Sequence, residues 1–497
     1  MINGNINHFF YFKLIYLIFM ITFIVSLVLL FLGYFLYAKF LDKTFRIDVN
    51  KETPAYKLRD NVDYIPMSQA KTFFIQLLNI AGLGPIFGAV SGAMFGPVAF
   101  LWIVFGSIFG GAVHDYFSGM ISLRNNGASL PNIIGKYLGN NMKIVLSILT
   151  IIVMILVGTV FMSGPAKLLT GITNNFLTFN QWIGVIFIYY IFAAILPIDK
   201  IIGRIYPFFG AALVFMAIGI LVSLFINNAP IPEISLKNMH PMGNDFPVFP
   251  MMFVSIACGA VSGFHATQSP LMARCLKNER EGRRVFYGAM ISEAVIALIW
   301  AAAAMSFFGN MENFQEFYLN ADSNPAPIIT KIATSWLGVV GGILAIIGVI
   351  AAPITSGDTA FRSGRLIVAD LFNIKQNSIA KRIAVTLPFF IIAFILLQIS
   401  FDVIWRYFAW VNQLLATITL WAITAYIIQD KGKFIISLIP ALFMTCVCST
   451  YIFIAKTDGF GLEHTLAYSI AAVITIAVVL AFYFRVKKNM NNDYKLD

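Results

Sequence analysis

Charged residues are scarce in this sequence. Only 11% of the 497 residues are Asp, Glu, Lys or Arg, whereas about 25% is usual in a soluble domain. So few charges could not cover the surface of a soluble protein of this length. The chain is instead 59% apolar, with 48 phenylalanines, and its mean hydropathy is +0.83. We therefore predict an all-α polytopic membrane protein, and we exclude soluble enzymes, nucleic-acid-binding proteins and disordered chains.

Cysteine is also rare, with four in the whole chain. None belongs to a C-x-x-C pair or stands at a zinc-ligand spacing, so nothing points to a disulfide scaffold or a cysteine-based metal site. Because the thiol is small and weakly polar, we interpret these residues as core filler. They are Cys258, Cys275, Cys446 and Cys448.

Apolar runs long enough to cross a bilayer fill most of the chain. The first is too long for a signal-peptide core and lacks a basic start and a small-residue cleavage site, so we predict a retained helix. With about 20 apolar residues needed per crossing, the sequence predicts about thirteen spans. They lie at about 14–38, 72–95, 97–122, 142–166, 180–197, 201–226, 250–271, 285–308, 337–356, 383–400, 404–428, 434–455 and 465–484.

The lysines and arginines favour one side of the predicted membrane. Most of the 34 lie in alternate connections, and the connections between those hold few. Because basic loops stay cytoplasmic, we predict the amino terminus outside and the carboxyl terminus inside the cell. The net charge of +11 then requires no nucleic-acid partner.

Two predicted spans carry poor helix formers near their middle, and Pro85 also removes a backbone donor. In hydrocarbon, an interrupted backbone is tolerated only inside the protein or beside a water-filled cavity. The second span contains Asn79, Ala81, Gly82, Gly84, Pro85 and Gly88, and the seventh contains Gly259, Ser262, Gly263 and His265.

These two spans begin two five-helix units of opposite orientation. Paired broken helices of this kind mark the binding site of inverted-repeat transporters, where half-helix ends favour a substrate carboxylate and unwound carbonyls favour a cation. The structural alternative is a simple kink, or small residues for close helix contact. The predicted organisation is a helix over 1–40, a cytoplasmic loop over 41–71, a transporter core over 72–428 with repeats 72–226 and 250–428, and two helices with a basic tail over 429–497.

Ionisable side chains inside a span are candidates for function because they are costly in lipid. His114 and Asp115 lie in the third span, His265 follows the second break, and Glu293 stands isolated in the eighth span. We interpret them as a proton or substrate relay or gate, with Glu293 facing a cavity, since imidazole titrates near neutral pH. A buried polar pair that closes a helix contact is the alternative for His114 and Asp115, and a structural histidine with satisfied hydrogen bonds is the alternative for His265.

The end of the ninth span combines hydroxyls with charges. Thr355 and Ser356 offer oxygens for a small cation, together with carbonyls of the broken second span. Asp358 and Arg362 lie four residues apart and could pair on a helix face, either as part of a relay or gate or as a capped helix end.

An amide pair, Asn412 and Gln413, interrupts the long apolar run of the eleventh span. Amides at this depth suggest either a lined cavity or an interhelical hydrogen bond. The sequence does not choose between these two alternatives.

Several long motifs resemble the carbon starvation protein A (CstA) family, in its shorter form. They extend from about residue 50 to 416, which is most of the chain. The motifs are TPAY at 53–56, VDYIP at 62–66, NIAGLGPIFGA at 79–89, FLWIVFGSIFGGAVHDYFSGMISLRNNGASLP at 100–131, SIACGAVSGFHATQSP at 255–270, APITSGDTAFRSGRL at 352–366 and NQLLA at 412–416.

This resemblance implies an inner-membrane transporter with a LeuT-type core of five plus five helices, one additional helix before it and two after it. Sodium-coupled carriers of this type use an alanine, a threonine and a serine on the eighth core helix, and Ala352, Thr355 and Ser356 have that spacing. The resemblance therefore favours Na⁺ over H⁺ as the coupling ion. Longer members often carry two adjacent histidines where Ile75 and Gln76 stand here, which weakens a proton role at that place.

The function implied is ion-coupled uptake of peptides, or of related small carboxylates, during carbon starvation. A pyruvate or monocarboxylate symporter is the alternative, and a membrane sensor that binds metabolites without moving them is the alternative of another class. The expected partners are a small-molecule substrate and the lipid bilayer, and no cofactor is expected besides the coupling ion, Na⁺ or H⁺. No enzyme motif of the H-E-x-x-H or G-x-S-x-G type occurs.

Overall fold

The computed structural model is helical wherever the chain forms regular structure, with no strand in the described residues. Among the residues that the structure describes, ten helices are long and apolar enough to cross a membrane, and one bent pair makes an eleventh. The predicted all-α membrane class is confirmed. The beginning of the first predicted span, 14–19, lies outside the described residues. The structure describes residues 20–61, 63–173, 176–195, 198–376 and 378–493.

The thirteen predicted spans each overlap helical segments, which are numbered spans 1 to 13 in chain order. Spans 5 and 7 are not among the described helices that are long and apolar enough to cross a membrane, so the predicted number of spans is not confirmed. Span 1 is Ile21–Phe45, and spans 3 to 6 are Val98–Arg124, Asn140–Gly171, Phe179–Ile195 and Ile198–Ile226. Spans 8 to 13 are Glu279–Phe307, Gly341–Leu371, Ile379–Leu396, Val403–Gln429, Ile435–Ile454 and His464–Lys487. Span 2 consists of Gln69–Ile80 and Gly84–Phe95, and span 7 of Val248–Met252, Phe253–Ser255 and Gly263–Ala273. Shorter helices are Pro54–Lys57, Leu130–Leu138 and Met311–Asn320.

The two predicted repeats interlock around the broken spans. Span 4 and span 6 both pack along span 9, and the second half of span 7 packs along span 3. In their most apolar stretch, spans 3, 8 and 9 are 83%, 83% and 82% buried, whereas span 13 is only 11% buried. Spans 3, 8 and 9 therefore form the protein interior, and span 13 is left to face lipid.

Basic connections meet at one end of the bundle, which we call the basic end. Arg124 donates to the Glu279 carboxylate at 3.0 Å and to the Arg46 carbonyl at 2.7 Å. Arg283 pairs with Asp42 at 3.0 Å. The connections that follow spans 1, 3 and 7 thus share one end, as the alternating pattern of basic residues predicts.

Span 2 breaks after Ile80. Its two halves meet at 56°, and the second half begins at Gly84. Pro85 is tolerated there because an N–H in the first turn of a helix has no helical partner. The Leu83 carbonyl accepts from the Phe87 amide at 2.7 Å. The predicted break is confirmed.

Span 7 breaks between Ser255 and Gly263. A half-helix that starts at mid-membrane exposes backbone donors that need partners. Asn412 of span 11 supplies one, since its Oδ1 accepts from the Phe264 amide at 2.7 Å. Its Nδ2 also donates to the Ser262 hydroxyl at 2.9 Å. Of the two alternatives for Asn412, the structure therefore shows the interhelical hydrogen bond.

The adjacent amide secures the other side of the same break. Gln413 Nε2 donates to the Phe253 carbonyl at 2.5 Å, in the last turn before the break. Two neighbouring side chains of span 11 thereby hold both halves of span 7. A change in the angle between those halves requires these hydrogen bonds to rearrange.

The two breaks pack directly against each other. A Cβ placed on Gly84 would lie 1.9 Å from the Cys258 Cβ, and one on Gly259 would lie 3.8 Å from the Pro85 Cα. Glycine is therefore required at 84 for close contact between spans 2 and 7. The structure supports the close-contact interpretation at this position, and a role for these glycines in holding substrate stays a prediction.

Replacing Gly84 with leucine is expected to destabilise the protein by at least about 1–3 kcal/mol, the usual cost of overpacking a filled core. Gly184→Leu is the matched control, because nothing lies within 4 Å of a Cβ at Gly184. Thermal unfolding of the two variants in detergent measures the difference. Equal melting temperatures for both variants and the wild type would show that spans 2 and 7 are not packed in this way.

Asn412→Ala is expected to leave the Phe264 amide buried without its acceptor, at a cost of about 1–3 kcal/mol. Hydrogen–deuterium exchange should then rise in the peptide that contains Phe264. Gln398→Ala is the control, since Gln398 is an exposed amide after span 10. Unchanged exchange at the start of the second half-helix would contradict the clamp formed by Asn412.

Candidate functional site

Four ionisable side chains form one cluster at the second break. They are His114 and Asp115 of span 3, His265 of span 7 and Glu293 of span 8, and all four are fully buried. The break places His265 here, because the second half-helix starts two residues earlier at Gly263. We call these four residues the ionisable cluster.

The contacts within the ionisable cluster run in a line. His114 Nδ1 lies 2.8 Å from Asp115 Oδ1, and His265 Nδ1 lies 2.9 Å from Asp115 Oδ2. The other ring nitrogen of His265, Nε2, lies 3.4 Å from Glu293 Oε2. An imidazole between two carboxylates can take up, hold and pass on a proton.

The sequence described Glu293 as isolated, and this description is wrong, because Glu293 approaches His265 from another span. Asp115 likewise meets an imidazole from another span. Since these contacts join residues far apart in the sequence, helix periodicity contains no signal for them.

Two buried amides lie on the first half of span 2, close to the first break. Gln76 is 0% exposed and Asn79 is 1% exposed, and neither side-chain amide has a hydrogen-bond partner among the described residues. Both Glu293 oxygens also lack a hydrogen bond there. A buried polar group without a partner costs about 1–3 kcal/mol. Such groups are explained when water, an ion or a ligand supplies the partner.

The hydroxyls predicted for a cation site lie against the first break. Ser356 Oγ is 2.8 Å from the Leu78 carbonyl and 2.9 Å from the Ala352 carbonyl. Thr355 Oγ1 donates to the Ala352 carbonyl at 2.8 Å. The predicted neighbour Ala81 caps the first half of span 2. These oxygens are of the type that a small hard cation takes as ligands, and both hydroxyls have protein partners.

Asp358 and Arg362 link span 9 to its neighbours. Asp358 accepts hydrogen bonds from the phenols of Tyr189 and Tyr206, at 2.7 and 2.8 Å. Arg362 donates to the Ala193 carbonyl at 2.5 Å. The sequence offered no signal for the two tyrosines, because they lie on spans 5 and 6.

Within the described residues, no group of three or more His, Cys, Asp or Glu is arranged to hold a metal ion. The four cysteines are not disulfide-bonded, and three of them are buried. The interpretation of Cys258, Cys275 and Cys448 as core filler agrees with this burial.

A cavity of about 120 Å³ lies between the halves of spans 2 and 7 that point away from the basic end. Ser91 of span 2 and Ser255 of span 7 contribute to its wall, together with Trp405 and Arg406 of span 11. Ser91 Oγ lies 2.9 Å from the Tyr318 hydroxyl. This cavity reaches the second break at Ser255 and the second half of span 2 at Ser91. Arg406 was not among the predicted site residues because it stands near a helix end.

The predicted substrate-binding residues all lie in the protein interior at the two breaks. Asn79, Gly82, Gly84, Pro85 and Gly88 surround the first break, and Gly259, Ser262, Gly263 and His265 surround the second. The structure thus brings these residues together with the ionisable cluster and the hydroxyls of span 9.

Comparison with known proteins gives the same assignment as the motifs. The family model described as carbon starvation protein CstA matches residues 18–179 and 169–334. An uncharacterized membrane protein of Haemophilus influenzae is 44% identical over 347 residues, covering 60% of this chain and 94% of that protein.

The relatives that are named as transporters are less similar to this chain and are longer than it. The peptide transporter CstA of Bacillus subtilis is 28% identical over 341 residues, covering 56% of this chain and 57% of that protein. The pyruvate/proton symporter BtsT of Escherichia coli is 28% identical over 333 residues, covering 53% of this chain and 45% of that protein. The chain thus matches about half the length of these relatives.

Solved structures show the fold. The manganese transporter of Eremococcus coleocola has a TM-score of 0.57 at 12% identity, covering 88% of this chain and 99% of that chain. MhsT in complex with L-phenylalanine has a TM-score of 0.56 at 15% identity, covering 84% of this chain and 99% of that chain. The predicted LeuT-like architecture is therefore confirmed. By its family match and its Haemophilus relative, the chain belongs to the carbon starvation protein CstA family.

Proposed function

We propose that the protein is a secondary active transporter of the inner membrane that takes up peptides, or related small carboxylates, under carbon starvation. Uptake is coupled to Na⁺ or H⁺ and proceeds by alternating access around the two broken spans. A pyruvate or monocarboxylate symporter is the alternative substrate assignment, and relatives with either name support carboxylate-bearing substrates.

The observation that carries this proposal is the set of buried polar groups without protein partners beside the breaks. Gln76 and Asn79 offer amide donors and acceptors from span 2, and Glu293 offers a carboxylate from span 8. The first half of span 2 packs against spans 7, 8 and 9. A substrate, water or a coupling ion at this place would satisfy groups that are otherwise costly to bury.

Alternating access would use the hinges that the structure provides. Span 2 bends by 56° at its break, and span 7 is held at both sides of its break by Asn412 and Gln413. Binding that favours one angle between the half-helices shifts the population toward the corresponding state.

For the coupling ion we favour H⁺ at the ionisable cluster over Na⁺ at Thr355 and Ser356. The span 9 hydroxyls already donate to the carbonyls of Leu78 and Ala352, so they need no cation to be satisfied. Glu293, in contrast, has no hydrogen bond among the described residues. A proton gained there would reduce the cost of a buried negative charge.

The proposed orientation places the basic end in the cytoplasm, with the amino terminus outside and the carboxyl terminus inside. Arg124, Arg274 and Arg283 contact residues of neighbouring connections at this end. Retention of basic connections on the cytoplasmic side supports this assignment.

Purified protein in proteoliposomes tests the function. A Na⁺ gradient and a pH gradient are applied separately while radiolabelled dipeptide or pyruvate is supplied outside. A tenfold gradient of one coupled ion provides about 1.4 kcal/mol, or roughly tenfold accumulation. Accumulation above the external concentration supports a transporter, whereas binding without accumulation supports the sensor alternative.

Glu293→Gln is expected to abolish accumulation driven by a pH gradient, from roughly tenfold per pH unit to equilibrium, because glutamine has a similar shape but takes up no proton. Exchange of labelled for unlabelled substrate should persist, since it needs no net proton movement. Exposed Glu316→Gln is the control. If Ser356→Ala instead removes Na⁺-driven accumulation while Glu293→Gln accumulates normally, Na⁺ is the coupling ion.

A further inference from the structure

A groove of about 610 Å³ lies at the basic end of the bundle, between the start of span 4, the second half of span 11 and the end of span 13. Most of its wall is apolar, with Ile418, Trp421 and Val478 among the lining side chains. The Trp421 ring packs against the Phe482 ring, with 4.6 Å between the centroids. Span 13 is only 11% buried in its most apolar stretch, so the groove is reached from the lipid side of the bundle.

The mouth of this groove is polar. Asn140 and Asn141 begin span 4 and are exposed, and Arg485 is exposed close to the end of span 13. Between Val478 and Arg485 the helix rises by about 10 Å, at 1.5 Å per residue. The groove therefore places an apolar wall beneath a polar mouth, as a lipid with a chain and a headgroup requires.

The Arg485 guanidinium lies against the backbone at the start of span 4. A Cβ built on Gly139 would overlap Arg485 Nη2, and the φ of +94° at Gly139 is one that L side chains rarely adopt. Glycine at 139 therefore permits this close approach. Among the described residues, Arg485 forms no hydrogen bond and no ion pair, so its charge is available to a ligand.

Positive charge at the start of span 4 is not balanced by an acidic side chain. The N-terminal end of an α-helix favours anions, because its free amides and its dipole give it a partial positive charge. Span 4 has no acidic residue in its first turn and no side-chain cap, and Lys143 completes that turn. None of the described residues that line the groove is acidic. A guanidinium held here is repelled by the helix end unless an anion lies between them.

We propose that this groove binds an anionic glycerophospholipid of the leaflet at the basic end, with its phosphate between Arg485 and the first amides of span 4. Arginine suits a phosphate because its planar guanidinium donates two parallel hydrogen bonds, and basic sites between membrane helices recognise anionic headgroups. One acyl chain lies along Ile418, Trp421 and Val478, a surface that a free phosphate ion cannot use. The bound lipid joins span 13 to span 4. This site goes beyond the transport function proposed above and does not depend on it.

Native mass spectrometry of the delipidated full-length protein in detergent tests this proposal. The probes are phosphatidylglycerol, phosphatidylcholine with the same acyl chains, and inorganic phosphate. Phosphatidylglycerol should remain bound, whereas phosphatidylcholine has no net charge and inorganic phosphate has no acyl chain, so neither should. Phosphatidylglycerol should also raise the melting temperature, because a ligand that binds only the folded state stabilises it.

Substitutions at the mouth of the groove locate the lipid. Arg485→Gln should weaken phosphatidylglycerol binding by about tenfold to a hundredfold, as expected for losing a charged hydrogen bond, and Arg485→Lys should keep part of it. Ala481→Glu should also weaken binding, because a carboxylate four residues before Arg485 pairs with its guanidinium. Arg280→Gln is the matched control, since Arg280 is an exposed arginine of the basic end that does not line the groove. Thermal unfolding without added lipid checks that each variant is folded.

Four results would overturn the proposal. Equal retention of phosphatidylglycerol and phosphatidylcholine would show that charge does not select the lipid. Undiminished phosphatidylglycerol binding in folded Arg485→Gln would place the lipid elsewhere. Stabilisation by inorganic phosphate equal to that by phosphatidylglycerol would leave an anion site without a lipid. A lipid-free dimer that Ala481→Glu dissociates would show that a second copy of the chain covers the groove.

Discussion

A lipid bilayer offers no hydrogen-bond partner to a peptide group, so each interrupted helix must be completed by the protein itself. Span 2 meets this constraint locally, because the Leu83 carbonyl accepts from Phe87 across the restart of the helix. Span 7 meets it through a different helix, because Asn412 and Gln413 of span 11 form hydrogen bonds with its backbone. The close contact of Gly84 with Cys258 then joins the two breaks. The arrangement of polar groups around them follows from this junction.

The backbone groups at the two breaks have hydrogen-bond partners, whereas several polar side chains nearby do not. Gln76, Asn79 and Glu293 are buried without hydrogen-bond partners in the described part of the chain, although the membrane interior makes such groups expensive. Proteins retain costly buried groups where they have a task. The function proposed above assigns that task to binding of a substrate or a coupling ion beside the breaks.

Local composition predicted the architecture well, because hydrophobic runs, basic connections and poor helix formers are properties of contiguous sequence. The break at Gly84 and Pro85 could be predicted for that reason. For the amides at 412 and 413 the sequence left two alternatives open, a lined cavity or an interhelical hydrogen bond. Pairing across spans could not be predicted. Glu293 meets His265, and Asp358 meets Tyr189 and Tyr206, only because helices distant in sequence pack together.

The central claim is that the unpartnered amides beside the first break bind something other than protein. An experimental structure at a resolution that shows ordered water tests it most directly, with the protein in lipid and a small carboxylate supplied. The account predicts non-protein density within hydrogen-bonding distance of the Asn79 and Gln76 amides. A dry interior, in which both amides bond only to protein or face packed apolar side chains, would contradict it.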